Sequence, residues 1–180
     1  MKRVFAAIDI SDEVREEVRN YIVELRSGFE QVPAKWEKPD KLHITVKFAG
    51  SVDESQLEDF TKEIHAVATK LQPFQMKITG TGAFVKRRGP SVLWQGTDVV
   101  SAPDDPIVTL AGLSERRPFR PHLTIARIKD PGKAHDLIQK HRASSFDSGM
   151  FEVAEIVIYE SMLLPTGSVY TRLAGFPFGA

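Results

Sequence analysis

The sequence predicts an α+β fold: antiparallel sheets covered by helices on one side. Three observations carry this. Short segments with two-residue hydrophobic alternation recur along the chain, as in Leu42-His43-Ile44-Thr45-Val46-Lys47-Phe48. Helical stripes sit between them without the regular strand–helix alternation of a doubly wound sheet. No glycine-rich nucleotide loop follows the first strand. No segment is low-complexity and no polar linker divides the chain, so residues 1–180 are read as one domain.

Val4 to Ile10 is an apolar run of strand formers. Ser11 then offers an N-cap, with Asp12 and Glu13 in a first turn where carboxylates suit the helix dipole. Val14, Val18, Ile22 and Leu25 continue at helical spacing until Gly28 and Pro33. In the strand from Leu42 to Ala49, strict alternation sends Leu42, Ile44, Val46 and Phe48 one way and His43, Thr45 and Lys47 the other. Asp53 and Gln56 form a capping box for a second helix with Leu57, Phe60, Ile64, Val67 and Leu71 inward. Phe74 to Ile78 and Val92 to Trp94 are strands. Ile107 to Leu113 has room for one or two helical turns, and Arg116 to Pro121 is extended. His122 to Ala126 is a strand. Asp130-Pro131 opens a third, short helix carrying Ala134, Leu137 and Ile138. Phe151 to Leu164 is strand-like, and Val169 to Leu173 returns after the turn Pro165-Thr166-Gly167-Ser168.

Composition excludes several classes. The chain has no cysteine, which rules out disulfides, thiolate zinc sites, iron–sulfur clusters and a cysteine nucleophile. With 24 Lys+Arg against 24 Asp+Glu it lacks the excess cations of a long duplex-binding surface, but a few local cations suffice for a small phosphorylated ligand. No stretch approaches the roughly 20 apolar residues that span a bilayer, and the first residues lack a signal-peptide core. The expectation is a soluble, cytoplasmic monomer with no membrane partner.

The most informative feature is an echo. Leu42-His43-Ile44-Thr45-Val46 and Pro121-His122-Leu123-Thr124-Ile125 share the form His-apolar-Thr-apolar. On a strand, positions i and i+2 face one side, so each copy presents an imidazole and a hydroxyl together while the apolar neighbours anchor the other face. Two such strands related by a pseudo-dyad would flank one cleft. That set suits in-line phosphodiester cleavage. One histidine takes a proton from the attacking oxygen and the other protonates the leaving oxygen, both near neutral pH because imidazole titrates at ~6.5. Thr45 and Thr124 hydroxyls would donate to the non-bridging oxygens. No metal or cofactor is required. A single His-x-Thr is most often a structural strand histidine; its duplication in matching strands is the signal. A zinc site is disfavoured because two distant histidines lack a third ligand at recognisable spacing. His65, His135 and His141 read as solvent-facing helix residues.

These residues resemble the two-histidine phosphoesterase superfamily, and within it the RNA 2′,3′-cyclic phosphodiesterases, formerly named 2′-5′ RNA ligases. The resemblance runs nearly end to end, through Arg3 to Asp9, Leu42 to Gly50, Val92 to Gly96, Arg117 to Arg127, and Ser161 with Gly167 and Tyr170. It implies a bilobal, pseudo-two-fold fold with a small antiparallel sheet in each lobe, helices outside and a central cleft. The implied partner is an RNA 3′ end carrying a 2′,3′-cyclic phosphate. The implied activity opens that ring to a 2′-phosphate, and related members join or cleave 2′-5′ linkages. By the family pattern His122 is the base that activates water and His43 the acid. Thr45 and Thr124 hold the phosphate, and Arg127 helps bind it. Strict alternation puts Arg127 on the wrong face, five residues after His122, so it reaches the site only if the strand bulges or ends by then. Arg120, Arg116, Arg117 and the Lys86-Arg87-Arg88 run are expected to supply cations for flanking phosphates. Phe5, Trp94 and Phe119 are candidates to stack on a base; for Phe5 and Trp94, in apolar runs, the competing reading is the core. One departure stands out: the family's helix before the second motif has little room between Thr97 and Arg116, a segment interrupted by Pro103 and Pro106.

Two other readings stay open. A nucleotide-level phosphodiesterase acting on ADP-ribose cyclic phosphate or 2′-5′ oligoadenylate is separated by a substrate panel. A catalytically idle RNA-end-binding module is separated by binding without turnover.

Overall fold

All nine strands of the computed structural model, which describes residues 1–86, 91–113, 119–165 and 167–179, join one antiparallel sheet. They are β1 (Lys2–Asp9), β2 (Ala34–Trp36), β3 (His43–Val52), β4 (Phe74–Phe84), β5 (Ser91–Ser101), β6 (His122–Ile128), β7 (Asp147–Val153), β8 (Glu155–Leu164) and β9 (Gly167–Pro177). The spatial order is β7-β4-β5-β6-β3-β1-β8-β9, with β2 beside β6. This is two four-stranded halves, each ending in a His-x-Thr strand. The join between them is a single residue pair, Ile44 with Leu123. The two expected lobes are therefore one sheet with a narrow waist.

The helices are α1 (Asp12–Arg26), α2 (Glu54–Ala68), α3 (Pro106–Ala111) and α4 (His135–Ala143). Their starts follow the sequence chemistry. The Ser11 hydroxyl accepts from the Val14 N–H at 3.3 Å. The Asp53–Gln56 capping box closes in both directions, at 2.9 and 3.0 Å. The α1 stripe Val14, Val18, Ile22 and Leu25 is buried. It joins Ile44, Leu123 and the α2 and α4 stripes in one core cluster. The helix before the second motif is trimmed to the six residues of α3, which Asp105 caps.

Three expectations are corrected. The third helix does not begin at Pro131. The Asp130 carboxylate accepts from the Gly132 N–H and closes a 3-10 turn, Pro131–Lys133; Ala134, at φ −123° and ψ 18°, then separates it from α4. Residues 151–164 are not one strand: β7 pairs with β4 in one half, β8 pairs with β1 in the other, and Ala154 lies between. The third correction is His141, which is completely buried rather than solvent-facing. A carbonyl can only accept, so the His141 Nε2–H donates to Trp94 O at 3.0 Å, and Nδ1 accepts from the Tyr21 hydroxyl at 2.8 Å. α4 packs on β4 and so drives this ring into the sheet.

Burial holds His141 below the ordinary 6.5, against the hydrogen bond it donates to the Trp94 carbonyl, which acts the other way. The folded pKa lies below the unfolded one, so the unfolded chain binds the proton first and stability is lost as pH falls below 6.5. We expect the melting temperature to drop across that window and a His141→Gln variant to show a shallower drop. An unchanged slope would contradict this.

Candidate functional site

The waist fixes the site. β3 and β6 run antiparallel through Ile44 and Leu123, so the register sets Thr45 opposite His122 and His43 opposite Thr124. Ile44 and Leu123 are fully buried, and the four alternating polar residues are partly exposed on the other face. His43 and His122 are then diagonal neighbours, which in an antiparallel ladder lie roughly 7–8 Å apart.

Both rings are held the same way. His43 Nδ1–H donates to Lys41 O at 2.7 Å, and His122 Nδ1–H donates to Arg120 O at 2.8 Å. A carbonyl two residues upstream thus fixes each tautomer, leaving Nε2 as the nitrogen without a proton in the neutral ring. His43 Nε2 lies 3.1 Å from Thr45 Oγ1. Arg15 steadies the loop that supplies the first carbonyl: its guanidinium donates to Pro39 O, Leu42 O and Ile10 O. Aromatic edges frame both imidazoles. Tyr170 meets His43 at 5.4 Å and Phe84 meets His122 at 5.2 Å, each nearly perpendicular. Trp94 lies 6.4 Å from His122. Its indole crosses β4 over Gly82, where any Cβ would come within 2.2 Å of the ring.

A duplicated bulge determines what else faces the cleft. Ala6 pairs with Lys47 but Ala7 with Thr45, so Val46 is an extra residue on β3. Leu93 pairs with Ala126 but Trp94 with Thr124, so Ile125 is an extra residue on β6. Both bulges fall three residues after the histidine, and each reverses the phase of its strand. Arg127 is thereby turned to the side of His122, as the family resemblance requires. It is half-exposed, and its Nε lies 3.4 Å from Glu37 Oε1. In β3 the same reversal corrects the sequence alternation. Lys47 turns to the helices and pairs with Glu63 of α2 at 2.5 Å. Phe48 swings out to 69% exposure. Phe48 is the residue that sequence reasoning missed. The available signal was its place five residues after His43, matching Arg127 five after His122.

Other candidates fall differently. Phe5 is corrected: it is 3% exposed, with its ring 4.9 Å from His43 and 5.6 Å from Tyr159, so it walls the imidazole and has no open face for a base. Phe119 packs against the core. Arg120 has an exposed side chain and contributes its carbonyl. Lys86 is exposed, whereas Arg87, Arg88, Arg116 and Arg117 lie outside the described residues. Among the described residues no group of three or more His, Cys, Asp or Glu side chains could hold a metal ion.

The electrostatics of His43 are set by burial, which pushes its pKa below the ordinary 6.5. The Lys41 carbonyl and the Asp9 carboxylate oppose that shift, while Arg127 and Arg15 add to it. Asp9 is His43's register partner on β1, and the Tyr159 hydroxyl donates to it at 2.7 Å. Asp9→Asn keeps an acceptor for Tyr159 but removes the charge. We expect an NMR titration of His43 in that variant to show a lower pKa than in the parent; an unchanged or higher value would remove Asp9 from the account.

The chain is similar to known proteins over most of its length. The family described as LigT like phosphoesterase matches residues 8–94 and 105–170. A Methanocaldococcus jannaschii protein named RNA 2′,3′-cyclic phosphodiesterase is 33% identical over 177 residues, covering 93% of this chain and 96% of that protein. An Archaeoglobus fulgidus protein of the same name is 32% identical, covering 97% and 99%. The crystal structure of TT0787 from Thermus thermophilus superimposes with a TM-score of 0.70 at 26% identity, covering 98% of each chain.

Proposed function

The chain belongs to the LigT-like phosphoesterases, and from that membership and its paired imidazoles we propose that it opens 2′,3′-cyclic phosphates at RNA ends to 2′-phosphates. The observation that carries this reading is the antiparallel pairing at Ile44 and Leu123, which sets the two His-x-Thr motifs side by side on the face away from the core. The curated relatives named for the same reaction support it.

The chemistry follows from the groups available. The neutral Nε2 of one ring takes a proton from water as the water oxygen bonds to phosphorus. The P–O3′ bond breaks, and the other ring, charged, gives its Nε2 proton to the departing 3′ oxygen. The products are a 2′-phosphate and a 3′-hydroxyl, and the two rings have exchanged protonation states. Thr45, Thr124 and Arg127 donate to the non-bridging oxygens, whose charge persists through the transition state. In the free protein burial keeps His43 below 6.5 and therefore largely neutral near pH ~7; the anionic cyclic phosphate, with Asp9, favours its protonated form. Phe48 offers an open ring to a nucleobase, and such stacking is worth about 1–3 kcal/mol.

Two outcomes test this. With chelator present, His43→Ala or His122→Ala should lower kcat on a short RNA ending in a 2′,3′-cyclic phosphate by about 10²–10⁴-fold. Turnover like that of the parent in either variant would refute the paired mechanism. The pH profile of kcat/KM should be bell-shaped, with its two limbs belonging to the pair. Because burial makes His43 resist protonation, the lower of the pair's two apparent pKa values should lie below 6.5; a lower value above that would contradict a His43 held down by burial.

A further inference from the structure

Lys41 does two things. Its carbonyl accepts from His43, and its ammonium turns the other way to donate to the Ser168 carbonyl. The Lys35 ammonium arrives at the same place. The point where a side chain on Gly167 would begin is 3.7 Å from Lys35 Nζ and 4.0 Å from Lys41 Nζ. Gly167 opens β9 just after the β8–β9 turn, at φ +124°, a conformation that side-chain-bearing residues rarely adopt. Lys38 lines the same cavity of about 250 Å³, together with Asp40, Lys41, Ser168 and Tyr170. Among the described residues neither Lys35 nor Lys38 has a carboxylate partner. The Lys35 and Lys41 ammonium groups therefore meet at Gly167, on the rim of a pocket that Lys38 also lines and whose lining includes one carboxylate, Asp40. Their mutual repulsion is relieved by an anion.

The place of this pocket limits what that anion can be. Tyr170 is its shared wall with the catalytic cleft: the ring that lines the pocket also sets its edge on His43. An RNA end closed as a 2′,3′-cyclic phosphate continues in one direction only, through the 5′ oxygen of its last nucleotide. The next negative charge along the strand is the phosphodiester there. We propose that the Lys35–Lys38–Lys41 pocket is a subsite for that phosphodiester, so that the protein selects RNA strands over mononucleoside cyclic phosphates. This rests on the reading above and deepens it. The three lysines read charge and position rather than sequence.

The test uses product-like probes that the protein does not consume: a short single-stranded RNA ending in a 2′-phosphate, and a nucleoside 2′-monophosphate with no 5′ phosphate. In the Lys35→Gln/Lys38→Gln variant, RNA affinity should fall about tenfold. The slope of log affinity against log salt should become shallower by about 1.4, since each lost contact to a single strand removes about 0.7. Affinity for the mononucleotide should not change, and Lys35→Arg/Lys38→Arg should retain RNA binding. Equal weakening of both probes, or RNA binding unaltered in affinity and slope, would overturn the subsite. So would a parent protein that does not bind the RNA. A parent protein that binds RNA in the expected way yet opens no cyclic phosphate would refute the catalytic reading and leave the subsite standing.

Discussion

One residue pair governs this molecule. Among the described residues, Ile44 and Leu123 are the only point at which the two halves of the sheet pair through their motif strands. Both side chains are fully buried, so the core fixes the face that each strand turns away from solvent. Antiparallel register then leaves no freedom for the residues on either side. The imidazole of one strand must stand beside the hydroxyl of the other. A slip of one residue would send the histidine of the slipped strand into the core. The narrowness of the join matters as well: beyond that pair no further β3–β6 pairing among the described residues ties the halves of the sheet together.

The duplicated frame carries unequal chemistry. Bulges at Val46 and Ile125 occur at the same place in each copy and expose the residue five after the histidine. In one half that residue is Phe48 and in the other Arg127. A cyclic phosphate is itself unsymmetrical, with a charged phosphorus centre on one side and a base-bearing nucleoside on the other. A pseudo-dyad that presents an aromatic ring from one half and a guanidinium from the other fits that difference. The tautomer control stays symmetric, because the Lys41 and Arg120 carbonyls make the same hydrogen bond. Both rings therefore keep the same nitrogen, Nε2, clear of the backbone.

Much of this was legible in the sequence because it follows short-range rules. The His-x-Thr pairs are visible through two-residue periodicity, and α1 and α2 through Ser11, the Asp53–Gln56 box and their apolar stripes. The features that escaped depend on partners far along the chain. No local pattern marks Val46 as a bulge, since the extra residue is defined against β1; strict alternation therefore misplaced Lys47 and Phe48. The burial of His141 is decided by Tyr21 of α1 and Trp94 of β5, far from it along the chain. Ala154 carries no breaker chemistry, yet it divides two strands that belong to opposite halves. Phe5 lay in an apolar run, and its place against His43 follows from the pairing of β1 with β3. Arg127 was the instructive case: the conflict between strand alternation and its expected role called for a bulge or an early strand end, and the structure has a bulge.

The central claim is that two imidazoles meet one phosphorus from opposite sides. A crystal structure of the protein with vanadate and a nucleoside, which together mimic the five-coordinate state, tests it most directly. The account predicts a single vanadium centre with His43 Nε2 and His122 Nε2 within hydrogen-bond reach of its two apical oxygens. Vanadate bound to one histidine alone, or the two rings addressing different oxygens on the same side, would contradict it.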